Sequence, residues 1–291
     1  MPPLKIISFG EVLWDLFPGG AEFGGAPANF ACHAAGLGGQ VDMVSAVGDD
    51  SQGREALAIL NRHGLQTRFV EVIKDAPTGS VGVEIDSAGK PTFTIHENSA
   101  WDHLAWSSAL GDAIGEANAV YFGTLGQRSE LSRSTIQRAL TVAEQCGIPR
   151  VLDINLRAPF FDSQLIRESV ERASILKLSD EELSPVGHAG DLSCDGSTVD
   201  KLRDILNHFS LDLVVMTRGA DGAVLVTSED VIDQTGAPTT VVDTVGAGDS
   251  FTAALVCGIL SGDSYKTILH DATSLASKVC AQSGAVFAPQ Y

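Results

Sequence analysis

The sequence predicts an α/β fold, with a mostly parallel central sheet covered by helices and a small second β-sheet beside it. Short β-rich runs alternate with segments of helical period along most of the chain, a pattern typical of parallel strands joined by crossover helices. The 291 residues, 44% of them hydrophobic, are enough for one large α/β domain with an appendage. Two stretches of alternating apolar and polar residues interrupt this succession of strands and helices and predict the appendage.

Apolar runs predict the buried strands of the central sheet over residues 4–10, 41–48, 119–123, 150–155, 174–179 and 211–217. Segments with apolar residues at helical spacing lie between them, and three of the four end on the glycine expected after a helix C-terminus. These segments predict helices over residues 26–38, 51–64, 130–147 and 198–209. Further helices are predicted over residues 251–260 and 273–285.

Residues 11–23 and 67–97 alternate apolar and polar side chains between Gly and Pro turns, as half-exposed antiparallel strands do. We interpret them as a small sheet outside the main one, a lid formed by about residues 11–23 and 67–102. The alternative is a set of extra edge hairpins with no moving role.

Charge and cysteine content exclude several function classes. The chain carries 19 basic and 37 acidic residues, a formal charge of -18, which argues against nucleic-acid and anionic-membrane partners. Its five cysteines form no CxxC pair, which argues against a disulfide framework or a zinc knuckle and favours a reducing cytoplasm.

The sequence lacks three familiar site motifs, namely GxxxxGK[ST] of phosphate loops, GxGxxG after a strand as in dinucleotide sites, and HExxH of zinc hydrolases. No run reaches membrane length, so we expect a soluble cytoplasmic protein.

The segment VVDTVGAGDSF, residues 241–251, is the strongest chemical signal. Glycines at 246 and 248 allow a tight turn that brings free NH groups at a helix start against an anion. Asp249 alone fits a plain helix cap. A cap would nevertheless compete with that anion, whereas a carboxylate that accepts a proton from an attacking hydroxyl would not. This motif therefore predicts phosphoryl transfer with Asp249 as the base.

Several motifs together resemble the ribokinase-like (PfkB) family of sugar kinases. DTVGAGDSF at 243–251 is similar to the family's C-terminal signature, and FGGAPANFA at 23–31 and AVGDDSQG at 46–53 resemble its N-terminal segments. TRGADGA at 217–223 resembles the strand and turn of its nucleotide site. The resemblance runs over nearly the whole chain. It implies a ribokinase-like three-layer sandwich over residues 1–291 with a small β lid, which transfers the γ-phosphoryl group of ATP to a primary hydroxyl of a sugar.

The resemblance also implies roles for individual residues. Asp249 is the implied base. The turn formed by Gly246, Ala247 and Gly248 is the implied anion hole, in which backbone NH groups bind the phosphoryl group. The residues implied to bind sugar are Asp15, Gly24, Gly25, Asn29 and Arg157, although Arg157 alone fits a surface ion pair. Those implied to contact the nucleotide are Thr217, Gly219, Gly222, Ser283 and Gly284.

The same resemblance implies two metal-ion sites. KLSDEEL at 177–183 resembles the segment in which an Asn and a Glu organise Mg²⁺. Glu182 stands in the Glu position, while Ser179 stands where the family usually has Asn. Mg²⁺ would accompany ATP and contact Glu182 through water. Asp243 marks a candidate K⁺ site. A homodimer formed through the lid is an open alternative.

The segments KLSDEEL and DINLR favour a fructokinase. The alternatives are a 2-keto-3-deoxygluconate kinase or a ribokinase, then a nucleoside kinase, for which the 6% aromatic content offers little acceptor-pocket surface. A sugar-binding regulator without turnover would be expected to lack the base or the glycine turn, and both are present. Trp101 and Asp102 replace a small-residue pattern of fructokinases and receive no role.

Overall fold

A computed structural model describes residues 3–85, 91–193 and 195–287 of the chain. Its strands, numbered along the chain, are β1 (Lys5–Phe9), β2 (Leu13–Phe17), β3 (Gly20–Gly24), β4 (Gln40–Gly48), β5 (Gln66–Ile73), β6 (Gly79–Ile85), β7 (Pro91–Ile95), β8 (Ala119–Gly123), β9 (Arg150–Asp153), β10 (Ile175–Ser179), β11 (Leu213–Thr217), β12 (Ala223–Val226) and β13 (Val231–Gln234). Its helices are α1 (Ala26–Gly36), α2 (Ser51–Arg62), α3 (Ser108–Gly115), α4 (Glu130–Gln145), α5 (Ser163–Glu171), α6 (Asp180–Ala189), α7 (Thr198–His208), α8 (Ala247–Ser261) and α9 (Tyr265–Cys280).

The central sheet has the strand order β13-β12-β11-β10-β9-β8-β1-β4-β5. Every neighbouring pair from β5 to β11 is parallel, while β12 and β13 add an antiparallel edge. The prediction of a mostly parallel sheet is confirmed. Because parallel strands end on the same edge of a sheet, the loops that follow them gather there and provide the side chains of the candidate site.

Helices cover both faces of this sheet and enclose two apolar cores. Neighbouring residues of one strand point to opposite faces, so Ile7 and Phe122 pack in the core beneath α3 to α7. Ile6 and Tyr121 pack in the core beneath α1, α2, α8 and α9. Such two-sided burial explains why these strands have continuous apolar sequences rather than alternating ones. The result is the expected three-layer sandwich.

A second sheet with the order β3-β2-β6-β7 stands apart from the first. Its central pair, β2 and β6, is parallel, and the outer pairs are antiparallel, so the expectation of a wholly antiparallel sheet was wrong. The assignment of residues 68–73 to this sheet was also wrong, because β5 pairs with β4 at the edge of the central sheet. An edge strand has one wetter face and alternates as a lid strand does. Residues 86–90 of the predicted lid lie outside the described residues.

The last predicted helix is displaced towards the N-terminus. Helix α9 begins at Tyr265 and ends at Cys280, so Ser283 and Gly284 lie in the turn beyond it rather than on the helix. Within the described ranges, no helix is long and apolar enough to cross a membrane.

Candidate active site

Two cavities meet at the N-terminus of α8. The first, of about 500 Å³, lies between the carboxyl edge of the central sheet and the small sheet. Many of the predicted sugar-site and catalytic residues line it, namely Asp15, Gly25, Asn29, Arg157, Gly246, Gly248 and Asp249. Gly24 does not line it but supports Asp15, since a Cβ at residue 24 would lie 2.8 Å from the Asp15 carboxylate. The turn before α8 thus brings together residues that are distant in sequence.

The second cavity, of about 670 Å³, lies on the other side of the same turn. Thr217, Gly219, Gly222 and Ala247 line it, as a nucleotide site there requires. Thr244 and Gly248 line both cavities. Ser283 and Gly284 are not among its lining residues, and α9 contributes Thr273, Ala276, Ser277 and Cys280 instead.

Asp249 does not cap its own helix. The N-cap of α8 is Gly246, without a side-chain cap, and the Asp249 carboxylate accepts a hydrogen bond from Asn29 Nδ2 at 2.9 Å, across 220 residues of sequence. Burial raises the pKa of Asp249, while the Asn29 hydrogen bond and the charges of Lys177 and Arg157 lower it. The carboxylate is therefore a half-buried acceptor that lines the first cavity and is held by Asn29, rather than a solvated cap.

Gly246 has the left-handed conformation, with φ of 77°, and packs against the backbone of Ala285. A Cβ on residue 246 would lie 2.4 Å from the Ala285 oxygen. Gly246, Ala247 and Gly248 line the two cavities, so the first-turn NH groups of α8, which have no acceptor within the helix, lie at their junction. The NH group of Ala247 also donates to the Thr244 carbonyl at 3.3 Å. An anion at that junction would meet the positive end of the helix dipole.

Replacing Gly246 with Ala is expected to lower the free energy of unfolding by about 2 to 4 kcal/mol, because left-handed strain and overpacking against Ala285 add together. Gly262, at the other end of α8, is the matched control: its φ is also 77°, but a Cβ there would meet nothing within 4 Å. Gly262→Ala should therefore cost only about 1 kcal/mol. Urea unfolding of both variants measures the difference, and equal losses would contradict the close packing at Ala285.

Two charged residues of the first cavity, Lys177 and Glu11, were not predicted from the sequence. Lys177, on β10, is 7% exposed and donates to Asp153 Oδ1 at 3.0 Å. Glu11, after β1, is 3% exposed. Burial, helped by the charge of Asp249, raises its pKa to about 7 against backbone hydrogen bonds and the charge of Arg157, which lower it. Lys177 was visible in KLSDEEL but was given no role, and a buried Glu in a loop leaves no periodic signal.

Asp15 lies on β2 opposite Glu22 of β3. Burial and the Glu22 charge raise the pKa of Asp15 to about 6, and Arg157 lowers it. Three carboxyl groups, those of Glu11, Asp15 and Asp249, therefore share one cavity. Such clustering of acids with raised pKa values is typical of functional sites.

The carboxylates of the predicted metal residues are both held by backbone NH groups. Glu182 accepts from Ser179 N at 2.8 Å and from Leu156 N at 2.7 Å. Asp243 accepts from Val245 N at 3.0 Å and Gly284 N at 3.1 Å. Among the described residues, no group of three or more His, Cys, Asp or Glu side chains could hold a metal ion. Each oxygen of Glu182 accepts one of these NH groups and keeps a lone pair for a water molecule.

Trp101 and Asp102 do not line either cavity. Asp102 accepts two hydrogen bonds from Arg128, each 2.8 Å long, and the guanidinium lies 3.8 Å from the centre of the Trp101 ring and 4.8 Å from that of Phe160. This buried pair joins the segment after β7 to the loop that follows Arg157. Its place is structural, at the base of the small sheet.

Comparison with known proteins agrees with this arrangement. Residues 15–290 match the pfkB family carbohydrate kinase family. The chain is 31% identical to probable fructokinase-4 of Arabidopsis thaliana over 288 residues, covering 93% of this chain and 86% of that protein. It is also 31% identical to fructokinase-2 of Solanum lycopersicum, covering 93% and 85%. An uncharacterized sugar kinase from Pyrococcus horikoshii, solved with ATP, superimposes with a TM-score of 0.80 at 28% identity, covering 98% of this chain and 95% of that one.

Proposed function

The chain belongs to the PfkB family of carbohydrate kinases, phosphotransferases with an alcohol acceptor, and on that premise we propose that it transfers the γ-phosphoryl group of MgATP to a primary hydroxyl of fructose. One observation carries the proposal: Asp249 lies in the sugar-sized cavity beside the turn that both cavities share. The base and the donor phosphate would thus approach the same acceptor oxygen.

The residues at the junction suit this transfer. The sugar hydroxyl attacks the γ-phosphorus, its proton passes to the Asp249 carboxylate, and the bond between the γ-phosphorus and the bridging oxygen breaks to release ADP. NH groups at the anion hole stabilise the charge on the transferred phosphoryl oxygens. Since Asn29 holds Asp249, the carboxylate is oriented before the sugar arrives.

Sugar recognition is assigned to the polar residues of the first cavity. Asp15 accepts from sugar hydroxyls, while Gly24 and Gly25 leave room for the ring beside the backbone. Asn29 Oδ1 is buried and has no hydrogen-bond partner among the described residues, so a sugar hydroxyl would satisfy it. Fructose is the proposed sugar because both plant relatives are fructokinases at 31% identity.

A 2-keto-3-deoxygluconate kinase is the second candidate, favoured by Arg157. This exposed cation lines the same cavity, and its guanidinium suits the carboxylate of a sugar acid. A neutral keto-sugar would use the same Arg only through single hydrogen bonds. Arg157 therefore marks the point at which the two substrates differ.

The nucleotide is assigned to the second cavity, with Thr217, Gly219 and Gly222 at its mouth and Ser283 and Gly284 in the adjacent turn. Mg²⁺ would come with ATP and neutralise phosphate charge near Glu182, mainly through water. The same proposal includes a K⁺ ion near Asp243 and closure of the small sheet as a lid. It also includes a homodimer formed through that sheet and a cytoplasmic location.

A coupled ADP-release screen tests the substrate. Fructose, ribose, 2-keto-3-deoxygluconate, tagatose 6-phosphate and adenosine are compared at equal concentrations against a blank without acceptor. We expect fructose to give the highest kcat/KM, at least ~10-fold above ribose, since the loss of one net hydrogen bond to the sugar costs about 1 kcal/mol. Preference for 2-keto-3-deoxygluconate would replace fructose with the second candidate, and no release above the blank would overturn the sugar acceptor.

A further inference from the structure

Gly248 is a glycine whose backbone does not require one. It lies in the first turn of α8 and is absent from the residues with positive φ, so an alanine could adopt the same conformation. A Cβ on residue 248 would approach a single atom within 4 Å, the ammonium Nζ of Lys177 at 3.2 Å. The missing side chain therefore leaves the space between the anion hole and this ammonium open.

Lys177 is held at that point by its neighbours. Its parallel partner on β9 is Asp153, whose Oδ1 accepts from Nζ at 3.0 Å and whose Oδ2 accepts from Thr252 Oγ1 of α8 at 2.9 Å. Asp153 thus connects β10 to the helix that carries the anion hole. One donor of the ammonium is used by Asp153, and Lys177 lines the first cavity.

The charges around Lys177 show why an anion at the anion hole would need a cation beside it. Asp153, Glu182 and Asp249 all act electrostatically on it, and the whole chain has a formal charge of -18. A transferred phosphoryl group would meet strong repulsion in such surroundings unless a cation stands beside it. Lys177 is the buried cation that the described residues place next to the anion hole.

We propose that Lys177 is a catalytic residue that donates from its ammonium to an oxygen of the phosphoryl group in flight, and that Gly248 is glycine to keep that approach open. This inference rests on the proposed kinase function. Lys177 forms and breaks no covalent bond, and its charge counters the negative charge on the transferred group as the bond to ADP breaks. Asp153 positions the ammonium through its bond to Thr252.

The test compares Lys177→Met with Lys201→Met, which removes a half-buried lysine on α7 that lines neither cavity. We expect Lys177→Met to lower kcat by roughly 100-fold or more, as the loss of one oxyanion donor does, with little change in the sugar KM. Lys201→Met should retain the wild-type kcat. A kcat for Lys177→Met within about threefold of the wild type would overturn the proposal.

A buried Asp153 without its partner could destabilise the fold, so the double variant Lys177→Met/Asp153→Asn separates the two effects. It should regain the free energy of unfolding lost in the single variant but not the lost kcat. Recovery of kcat in the double variant would show that Lys177 only neutralises Asp153, and would contradict a direct role.

Titration calorimetry with MgADP, with and without aluminium fluoride, tests Lys177 independently of the sugar. Aluminium fluoride imitates the phosphoryl group in flight, so it should tighten MgADP binding in the wild type and at least ~10-fold less in Lys177→Met. Equal tightening in the two proteins, or none in the wild type, would refute the role of Lys177. Failure of every sugar in the ADP-release screen, with the calorimetric difference intact, would refute the acceptor instead.

Discussion

Replacing Asp249 with Asn is expected to lower kcat by roughly 100-fold or more, while the affinities for sugar and nucleotide stay nearly unchanged. An amide keeps the size of the side chain and an oxygen that can accept the Asn29 hydrogen bond, which is 2.9 Å long in the wild type. It cannot take the proton of the attacking hydroxyl. The loss should therefore appear in kcat rather than in KM.

Steady-state kinetics of Asp249→Asn beside Asp263→Asn measure this effect. Asp263 is an exposed residue just beyond the opposite end of α8, so its variant controls for the loss of one acidic charge near the same helix. Because burial raises the pKa of Asp249, the wild-type kcat should also fall as pH decreases through that raised value. Near-normal turnover by Asp249→Asn would remove this residue from the mechanism.

Stability provides a second readout of the same substitution. Burial of the Asp249 carboxylate raises its pKa, which means that the folded state disfavours the charged form. An amide relieves that cost, so Asp249→Asn should unfold at a higher urea concentration than the wild type at pH 8. A less active but more stable variant is the expected signature of a functional acid.

The sequence was sufficient to predict the sheet, most of its helices and the residues at the turn before α8, because these features have local signals. Gly246 precedes a strongly apolar helix, and the strands from residue 119 to residue 217 are continuous apolar runs. Placing Asn29 and Asp249 in one site required the family resemblance, since 220 residues separate the two, and the hydrogen bond between them was not predicted. A local sequence pattern does not show which residues distant in the chain lie close together in space.

The other features of the fold and the site could not be predicted from the sequence, and each has a physical reason. The strand β5 alternates because it lies at the edge of the central sheet, and alternation does not distinguish an edge from a separate sheet. The importance of Lys177 depends on its distance from a Cβ that Gly248 lacks, which is a property of two elements brought together. Glu182 was predicted as a metal residue, and its engagement by two backbone NH groups depends on where the loop after β9 runs.

Glu11 has the pH dependence that burial of an acid predicts. Its carboxyl is 3% exposed, and desolvation raises its pKa from 4.5 to about 7, helped by the charge of Asp249 and opposed by Arg157. Since the pKa is higher in the folded state than in the unfolded chain, the folded state binds the proton more tightly. The stability that this proton provides is complete below pH 4.5 and is lost as pH rises through about 7.

Replacing Glu11 with Gln should remove that dependence, because the amide stays neutral at every pH. The free energy of unfolding of Glu11→Gln minus that of the wild type should grow between pH 4.5 and pH 7, by about 3 kcal/mol in total, and level off above. Urea unfolding across this range measures the difference, and subtraction cancels the parallel contributions of Asp15 and Asp153, whose pKa values are raised to about 6. Glu55→Gln, at an exposed position on α2, controls for the loss of one acidic charge elsewhere on the protein. A flat curve for Glu11→Gln would contradict the raised pKa of this carboxyl group.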